Sequence, residues 1–246
     1  MKGIILAAGL GTRLRPLTDN CPKALLPVAG TPMLWQWLSK MYSAGVDEIV
    51  INAYHLAHRI VEYVESVRQD FNGLRISVSD ERPALLNTGG GISRAMSMLP
   101  GNDNDEEMVI IANADILTDF NVAEILGKHD GDVRLLVDAE RATRRKLLFD
   151  DEGYMKGWRD SGSGTIKTPF TSLPSPLREC AFNGIHCMKR SLGRYLEEYS
   201  RKDECFSIID FYIDNCDKLD IRSFVPAEKY SWTDIGKLDV YNSLPH

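Results

Sequence analysis

Two glycines and a group of cations near the start of the chain are the first residues with chemical promise. Gly9 and Gly11 follow a short apolar run, residues 4–7, in the stretch Leu6-Ala7-Ala8-Gly9-Leu10-Gly11-Thr12-Arg13-Leu14-Arg15-Pro16. Glycines after a buried strand let the backbone approach a ligand and expose successive amide N–H groups, which cradle phosphate oxygens. Arg13 brings a planar guanidinium that grips a phosphate through two parallel hydrogen bonds. Further on, Pro22-Lys23-Ala24-Leu25-Leu26-Pro27 holds a lysine between two stiffening prolines. Its ammonium is a compact charge for phosphate oxygens. A lone Gly-x-Gly is also compatible with a plain turn. A dinucleotide-binding dehydrogenase wants a third glycine where this chain has Leu14, and an acidic residue near the end of the second strand, where it has Asn52. The Gly-Lys-Ser/Thr of a P-loop does not occur.

These residues need a frame. The run at 4–7 reads as a strand buried on both faces of a parallel sheet. Residues 32–44 read as a helix with Pro32 in its first turn and Gly45 as its stop. Residues 48–52 form a second strand, 55–69 a helix, 74–79 a strand, and Thr88 caps a helix running to Leu99. Residues 108–112 are another buried strand, ending at Asn113-Ala114-Asp115. Strands alternating with helices through short connections predict an open α/β sheet, Rossmann-like, mixed and mostly parallel, flanked by helices. Ligands of such sheets sit at the carboxyl ends of the strands. The glycine loop and the Asp115 turn both fall at that edge.

The second half reads as more β-like, with strands at 133–137, 146–149, 154–158, 180–188 and 230–235 and a helix at 206–215. The Ser-, Gly-, Thr- and Pro-rich segment 161–176 reads as a surface loop or mobile flap. The whole chain, 1–246, is expected to form one domain with two halves, 1–115 and 116–246, which the resemblance described below implies to be nucleotide-binding and sugar-binding.

Composition narrows the classes. A net charge of −6 argues against a large nucleic-acid surface, which carries a basic excess, but leaves room for a small anionic substrate. Five cysteines without C-x-x-C spacing suggest reduced thiols, and the scattered histidines suggest no metal centre of their own. No stretch approaches the roughly 20 apolar residues of a membrane span, and the apolar run at the start is too short for a signal-peptide core. A cytoplasmic location and no membrane partner are therefore expected.

The combined pattern from Leu6 through Gly9, Gly11, Thr12, Arg13, Pro16 and Thr18 to Pro22, Lys23 and Pro27 resembles the signature of the sugar-1-phosphate nucleotidyltransferases. Other segments resemble the same family in the same order. They are Thr88-Gly89-Gly90-Gly91, Asn113-Ala114-Asp115 (with Ala114 where the family usually has Gly), Phe182-Asn183-Gly184-Ile185, and Trp232-Thr233-Asp234-Ile235-Gly236. The compact layout most resembles the short N-acetylmuramate 1-phosphate uridylyltransferases. Short mannose- and heptose-1-phosphate guanylyltransferases are close competitors, and a phosphocholine cytidylyltransferase of similar fold is a third. No hexapeptide repeat appears in these 246 residues, so the left-handed β-helix domain of some relatives is not expected.

The resemblance implies the nucleotide-diphospho-sugar transferase fold. It also implies a reaction in which a nucleoside triphosphate and a sugar 1-phosphate give a nucleotide sugar and pyrophosphate. It places Lys23 and Arg13 in catalysis. Leu6, Ala8, Gly9, Gly11, Thr12, Arg13, Thr88, Gly89 and Gly90 would bind the nucleotide, and Asn113, Asn183 and Gly184 the sugar phosphate. Asp115 and Asp234 would hold Mg2+, a hard ion that keeps several waters and takes few protein ligands. Glu81 and Arg82 stand as base readers or a solvated loop, and Trp158 and Arg159 as sugar-end or core residues. Monomer and homodimer remain open. A non-catalytic nucleotide-sugar sensor is the alternative of another class.

Overall fold

A strand that is apolar at every inner position can only be stable with both faces covered, and β1 (Lys2–Leu6) meets that condition. Ile4 and Ile5 point to opposite faces, and both are fully buried. The computed structural model describes residues 1–101, 106–127 and 131–245. β1 leads through a small hairpin, β2 (Pro27–Val28) and β3 (Thr31–Pro32), into α1 (Met33–Ser43). β4 (Glu48–Ala53), α2 (Ala57–Val67), β5 (Arg75–Asp80), α3 (Asn87–Met98) and β6 (Met108–Asn113) complete the alternation. Then come β7 (Ile116–Thr118), α4 (Val122–Leu126), β8 (Val133–Asp138), β9 (Arg145–Phe149), β10 (Met155–Asp160), β11 (Ile166–Lys167) and β12 (Arg178–Lys189). α5 (Gly193–Ser200), α6 (Ile208–Asn215), β13 (Ile221–Phe224), β14 (Trp232–Asp234) and α7 (Leu238–Asn242) follow.

Ten strands share one mixed sheet in the order β11-β10-β9-β12-β6-β1-β4-β5, with β8 against β12 and β13 against β8. β6, β1, β4 and β5 are parallel neighbours, while β12 joins β6 antiparallel. The chain moves from β1 outward to β4 and β5, then returns to β6 on the other side of β1. That reversal opens a crevice at the carboxyl ends of β1 and β6, where ligands of open α/β sheets bind. Ile5 and Ile51 pack on the face covered by α1 and α2, and Ile4 and Val50 on the face covered by α3, α5 and α6. The expected open, helix-flanked α/β sheet is therefore the observed architecture.

A third, smaller core of Leu14, Leu26, Val28, Met33, Ile235 and Tyr241 lies under the glycine loop. Two hydrogen bonds tie the last segment to it: the Tyr241 hydroxyl donates to the Pro27 carbonyl at 2.8 Å, and Ala29 N donates to the Pro245 carbonyl at 2.7 Å. Residues from the two ends of the chain thus support one loop.

Several elements depart from the sequence expectation. Thr88 does not cap α3, because the helix begins two residues earlier than such a cap implies, with Leu86 at its N-cap and no side-chain cap. The Thr88 hydroxyl instead accepts from Ile208 N at 3.0 Å, satisfying the first amide of α6. Segment 161–176 is not all loop, since Ile166 and Lys167 pair with Arg159 and Trp158 as an edge strand. The Thr168 hydroxyl donates to the Lys156 carbonyl at 2.6 Å. No helix among the described residues is long and apolar enough to cross a membrane.

Candidate active site

The sheet brings Lys23, Asp115 and Asp234 to one point. Lys23 stands on a short 3-10 turn between its two prolines. Asp115 follows β6, and Ala114 N donates to the Leu6 carbonyl at 3.0 Å, which sets the Asp115 turn beside the end of β1. Asp234 ends β14, whose partner is β7, with Asp234 opposite Ile116. Ile235 N then donates to the Asp115 carbonyl at 3.0 Å. The Lys23 ammonium is ion-paired to Asp115 and lies 3.9 Å from Asp234 Oδ1. Its side chain is only 11% exposed, so water screens these attractions little.

Gly236 completes this corner. Its amide donates to Asp234 Oδ1 at 2.7 Å. A side-chain carbon at Gly236 would stand 2.6 Å from that oxygen, 2.8 Å from the Arg13 guanidinium and 2.9 Å from the Lys23 ammonium. The missing side chain is what lets the two cations and the carboxylate converge. Arg13 itself is exposed.

The glycine loop is held from below. Gly11 takes a left-handed conformation, φ +64°, and a side chain there would meet Thr18 at 2.7 Å. The Thr18 hydroxyl donates to the Gly11 carbonyl at 2.8 Å, and His55 Nε2 contacts the Thr18 carbonyl at 2.9 Å. Gly9 and Thr12 are open to solvent. Their backbone is available to phosphate oxygens.

Next to the loop lies a cavity of about 200 Å³ lined by Leu6, Ala8, Gly9, Asn113, Asp115 and Thr88, with Leu85 and Asn87 on its far side. Asn52 forms part of its wall. Its Oδ1 accepts from Ala7 N at 2.6 Å, and its Nδ2 donates to Glu81 Oε1 at 2.7 Å. Glu81 Oε2 then accepts from Leu86 N at 3.0 Å. One bonded chain thereby links the end of β1 to the start of α3, across the cavity.

That chain corrects the base-reader expectation for Glu81, which is buried and occupied by Asn52 and Leu86. Burial pushes its carboxyl up from the ordinary range. Arg82 is exposed and paired to Asp80. Gly89 and Gly90 are likewise not brought to the cavity lining. A side chain at Gly89 would strike the Phe206 ring at 2.3 Å, and one at Gly90 the Glu204 carbonyl at 2.0 Å. These two glycines let α3 pack against the segment before α6.

On β12, Gly184 takes φ +73°, and a side chain there would meet the Asn113 amide at 2.8 Å. It sits in the irregular stretch of β12 between Phe182 and His186. Asn183 is fully buried. Its Nδ2 donates to the Tyr230 hydroxyl at 2.6 Å and its Oδ1 accepts from Arg141 Nε at 3.1 Å. Both ends of its amide are thus engaged by partners within the protein. Arg141 also donates to the Phe182 carbonyl at 2.7 Å, and its guanidinium stacks 4.1 Å over the Trp232 ring. Sequence reasoning missed Arg141. The available signal was a run of four cations, Arg141, Arg144, Arg145 and Lys146, inside an acidic chain. Trp158 lines the adjoining cavity. Arg159 does not and is paired to Glu179.

Among the described residues no cluster of three or more His, Cys, Asp or Glu side chains is poised to hold a metal. Two carboxylates that converge on one ammonium nonetheless fit a divalent cation. Lys23 marks a position of concentrated negative potential, and Mg2+ commonly takes one or two carboxylates with phosphate oxygens and water. The five cysteines are free thiols, with Cys180, Cys187 and Cys216 buried.

The sequence profile of the family described as Nucleotidyl transferase matches residues 2–163 of this 246-residue chain. The chain belongs to that family. It is 37% identical over 160 residues, 56% of its length, to an N-acetylmuramate alpha-1-phosphate uridylyltransferase of Neisseria meningitidis serogroup B. It is 38% identical over 128 residues, 51% of its length, to a mannose-1-phosphate guanylyltransferase of Mycobacterium tuberculosis. The matched stretches span 66% and 33% of those relatives' own lengths. Among solved structures, HddC from Yersinia pseudotuberculosis, crystallised with GMP-PN, shares the fold. The TM-score is 0.71 at 20% identity, and 99% of this chain and 97% of that one are covered.

Proposed function

We propose that the protein transfers a nucleotidyl group from a nucleoside triphosphate to a sugar 1-phosphate, and that UTP and N-acetylmuramate 1-phosphate are its pair. The observation that carries this reading is the convergence of Lys23, Arg13, Asp115 and Asp234 at the edge of the glycine loop. In the reaction, an oxygen of the sugar phosphate attacks the α-phosphorus in line. A new P–O bond forms, the bond from the α-phosphorus to the bridging oxygen breaks, and pyrophosphate leaves with that oxygen. A phosphate monoester is already an anionic nucleophile, so the protein needs no general base. Its work is positioning and charge neutralisation. Lys23 stabilises the charge that grows on the α-phosphate. Arg13 and the amides of Gly9, Gly11 and Thr12 hold the departing phosphates. The cavity bounded by Leu6, Ala8, Asn113 and Thr88 suits the nucleoside. Asp115 and Asp234 would hold Mg2+, which supplies Lewis-acid neutralisation of the phosphate oxygens.

The identity of the pair rests on the Neisseria relative. The Mycobacterium relative supports a second reading, GTP with mannose 1-phosphate. Pyrophosphate release with Mg2+ separates them, across a panel pairing UTP, GTP, CTP and dTTP with N-acetylmuramate, mannose, heptose and glucose 1-phosphates. The expected result is greatest release with UTP and N-acetylmuramate 1-phosphate. Silence across the panel, from folded protein that binds nucleotide, overturns the catalytic reading.

A further inference from the structure

A second cavity, of about 570 Å³, adjoins the nucleoside cavity, and Asn87 borders both. Four cations line it: Arg141, Arg145, Lys146 and Lys167. The one acid in its lining is Asp210, already ion-paired to Lys167 at 3.1 Å. Arg141 is engaged with Asn183, the Phe182 carbonyl and the Trp232 ring. Among the described residues, Arg145 and Lys146 have no side-chain hydrogen bond or ion pair. They are consecutive on β9, in a chain whose net charge is −6. Trp158 and Phe182 add aromatic faces to the same cavity, and these suit the C–H face of a sugar ring.

We infer that this cavity takes an acceptor sugar bearing a carboxylate in addition to its 1-phosphate, and that Arg145 and Lys146 are the residues that select it. The inference rests on the sugar-1-phosphate reading above and extends it, since it assigns the acceptor's second charge to named side chains. Each brings a positive charge to the cavity wall without an acidic partner among the described residues, and an anion entering the cavity supplies one. A neutral hexose offers no such anion. The 1-phosphate is met elsewhere, at Lys23, so it does not supply the missing charge. A charge-assisted hydrogen bond favours the acid over a neutral sugar by about ten- to a hundredfold.

The test compares N-acetylmuramate 1-phosphate with N-acetylglucosamine 1-phosphate, which lacks the lactyl carboxylate. The proteins are the wild type, an Arg145→Gln/Lys146→Gln variant and a charge-keeping Arg145→Lys/Lys146→Arg variant. Readouts are kcat/KM from pyrophosphate release and, separately, binding affinity by calorimetry. The wild type and the charge-keeping variant should favour the acid by about tenfold or more, and the ratio should fall toward one in the Gln variant. A wild-type ratio at or below one, or a ratio unmoved by removing both charges, overturns the inference. Equal turnover of both sugars removes the carboxylate assignment and leaves the reaction standing. A charge-dependent binding preference without turnover of any pair removes the reaction and leaves the assignment standing. Neither turnover nor preference removes both.

Discussion

Lys23 and Asp115, 92 residues apart in sequence, are ion-paired at the carboxyl edge of the sheet, with Asp234 Oδ1 3.9 Å from the same ammonium. The pair places a positive charge where phosphates would meet carboxylates. Lys23→Ala should lower kcat for pyrophosphate release by at least about a thousandfold, with a smaller change in KM, if the charge acts mainly in the transition state. Turnover within a few-fold of the wild type would remove Lys23 from the chemistry.

The carboxylates make a separate prediction. Chelation with EDTA should abolish turnover, and added Mg2+ should restore it. Asp234→Asn keeps shape but halves the charge offered to the cation. Its half-saturating Mg2+ concentration should rise about tenfold or more, while nucleotide-free thermal stability stays near that of the wild type. An unchanged Mg2+ titration curve would show that Asp234 is not a ligand.

Glu81 couples Asn52, on the wall of the cavity beside the glycine loop, to the start of α3. Glu81→Ala leaves the Asn52 amide and the Leu86 N–H without their acceptor, and should cost about 2–4 kcal/mol in urea unfolding. Asn52 also fixes Ala7 N, so KM for nucleotide should rise together with the loss of stability. Glu81→Gln offers one acceptor of the two and should fall between. Full stability in the alanine variant would contradict the structural role.

His186 supplies the pH prediction. It is fully buried, neither ring nitrogen has a partner among the described residues, and burial lowers its pKa to about 3. The unfolded chain takes up this proton near pH 6.5, the folded chain only near 3. Between those values the unfolded state binds more protons, so stability falls as the pH drops below about 6.5, by up to ~1.4 kcal/mol per unit. His186→Leu should flatten that slope and raise the melting temperature at pH 5. An unchanged slope would assign the acid sensitivity to other groups.

Much of the frame was legible because its signals are local. β1, β4 and β6 read as apolar runs, and α1 was bounded by Pro32 and Gly45. β7, α4 and α7 were missed because three to five residues hold too little periodicity to read. α5 and β13 went unread as well, since at eight and four residues each their signal lies mainly in the neighbours they pack on. The site divides the same way. Residue types alone nominated Gly9, Gly11, Arg13 and Lys23 for phosphate, because a glycine loop followed by cations can offer amides and fixed charge together.

What only the tertiary structure decided is which polar groups remain free. Asn183, Glu81 and Thr88 each looked available to a ligand, yet each is hydrogen-bonded to a partner 29 or more residues away. Gly89 and Gly90 proved to be contacts for Phe206 and Glu204. Arg145 and Lys146 border a cavity with no ion pair among the described residues. The sequence by itself determined the strand and the glycine- and cation-rich loop that follows it, since these are local patterns of residue type. A side chain's availability depends on neighbours that only the folded sheet brings within hydrogen-bonding reach.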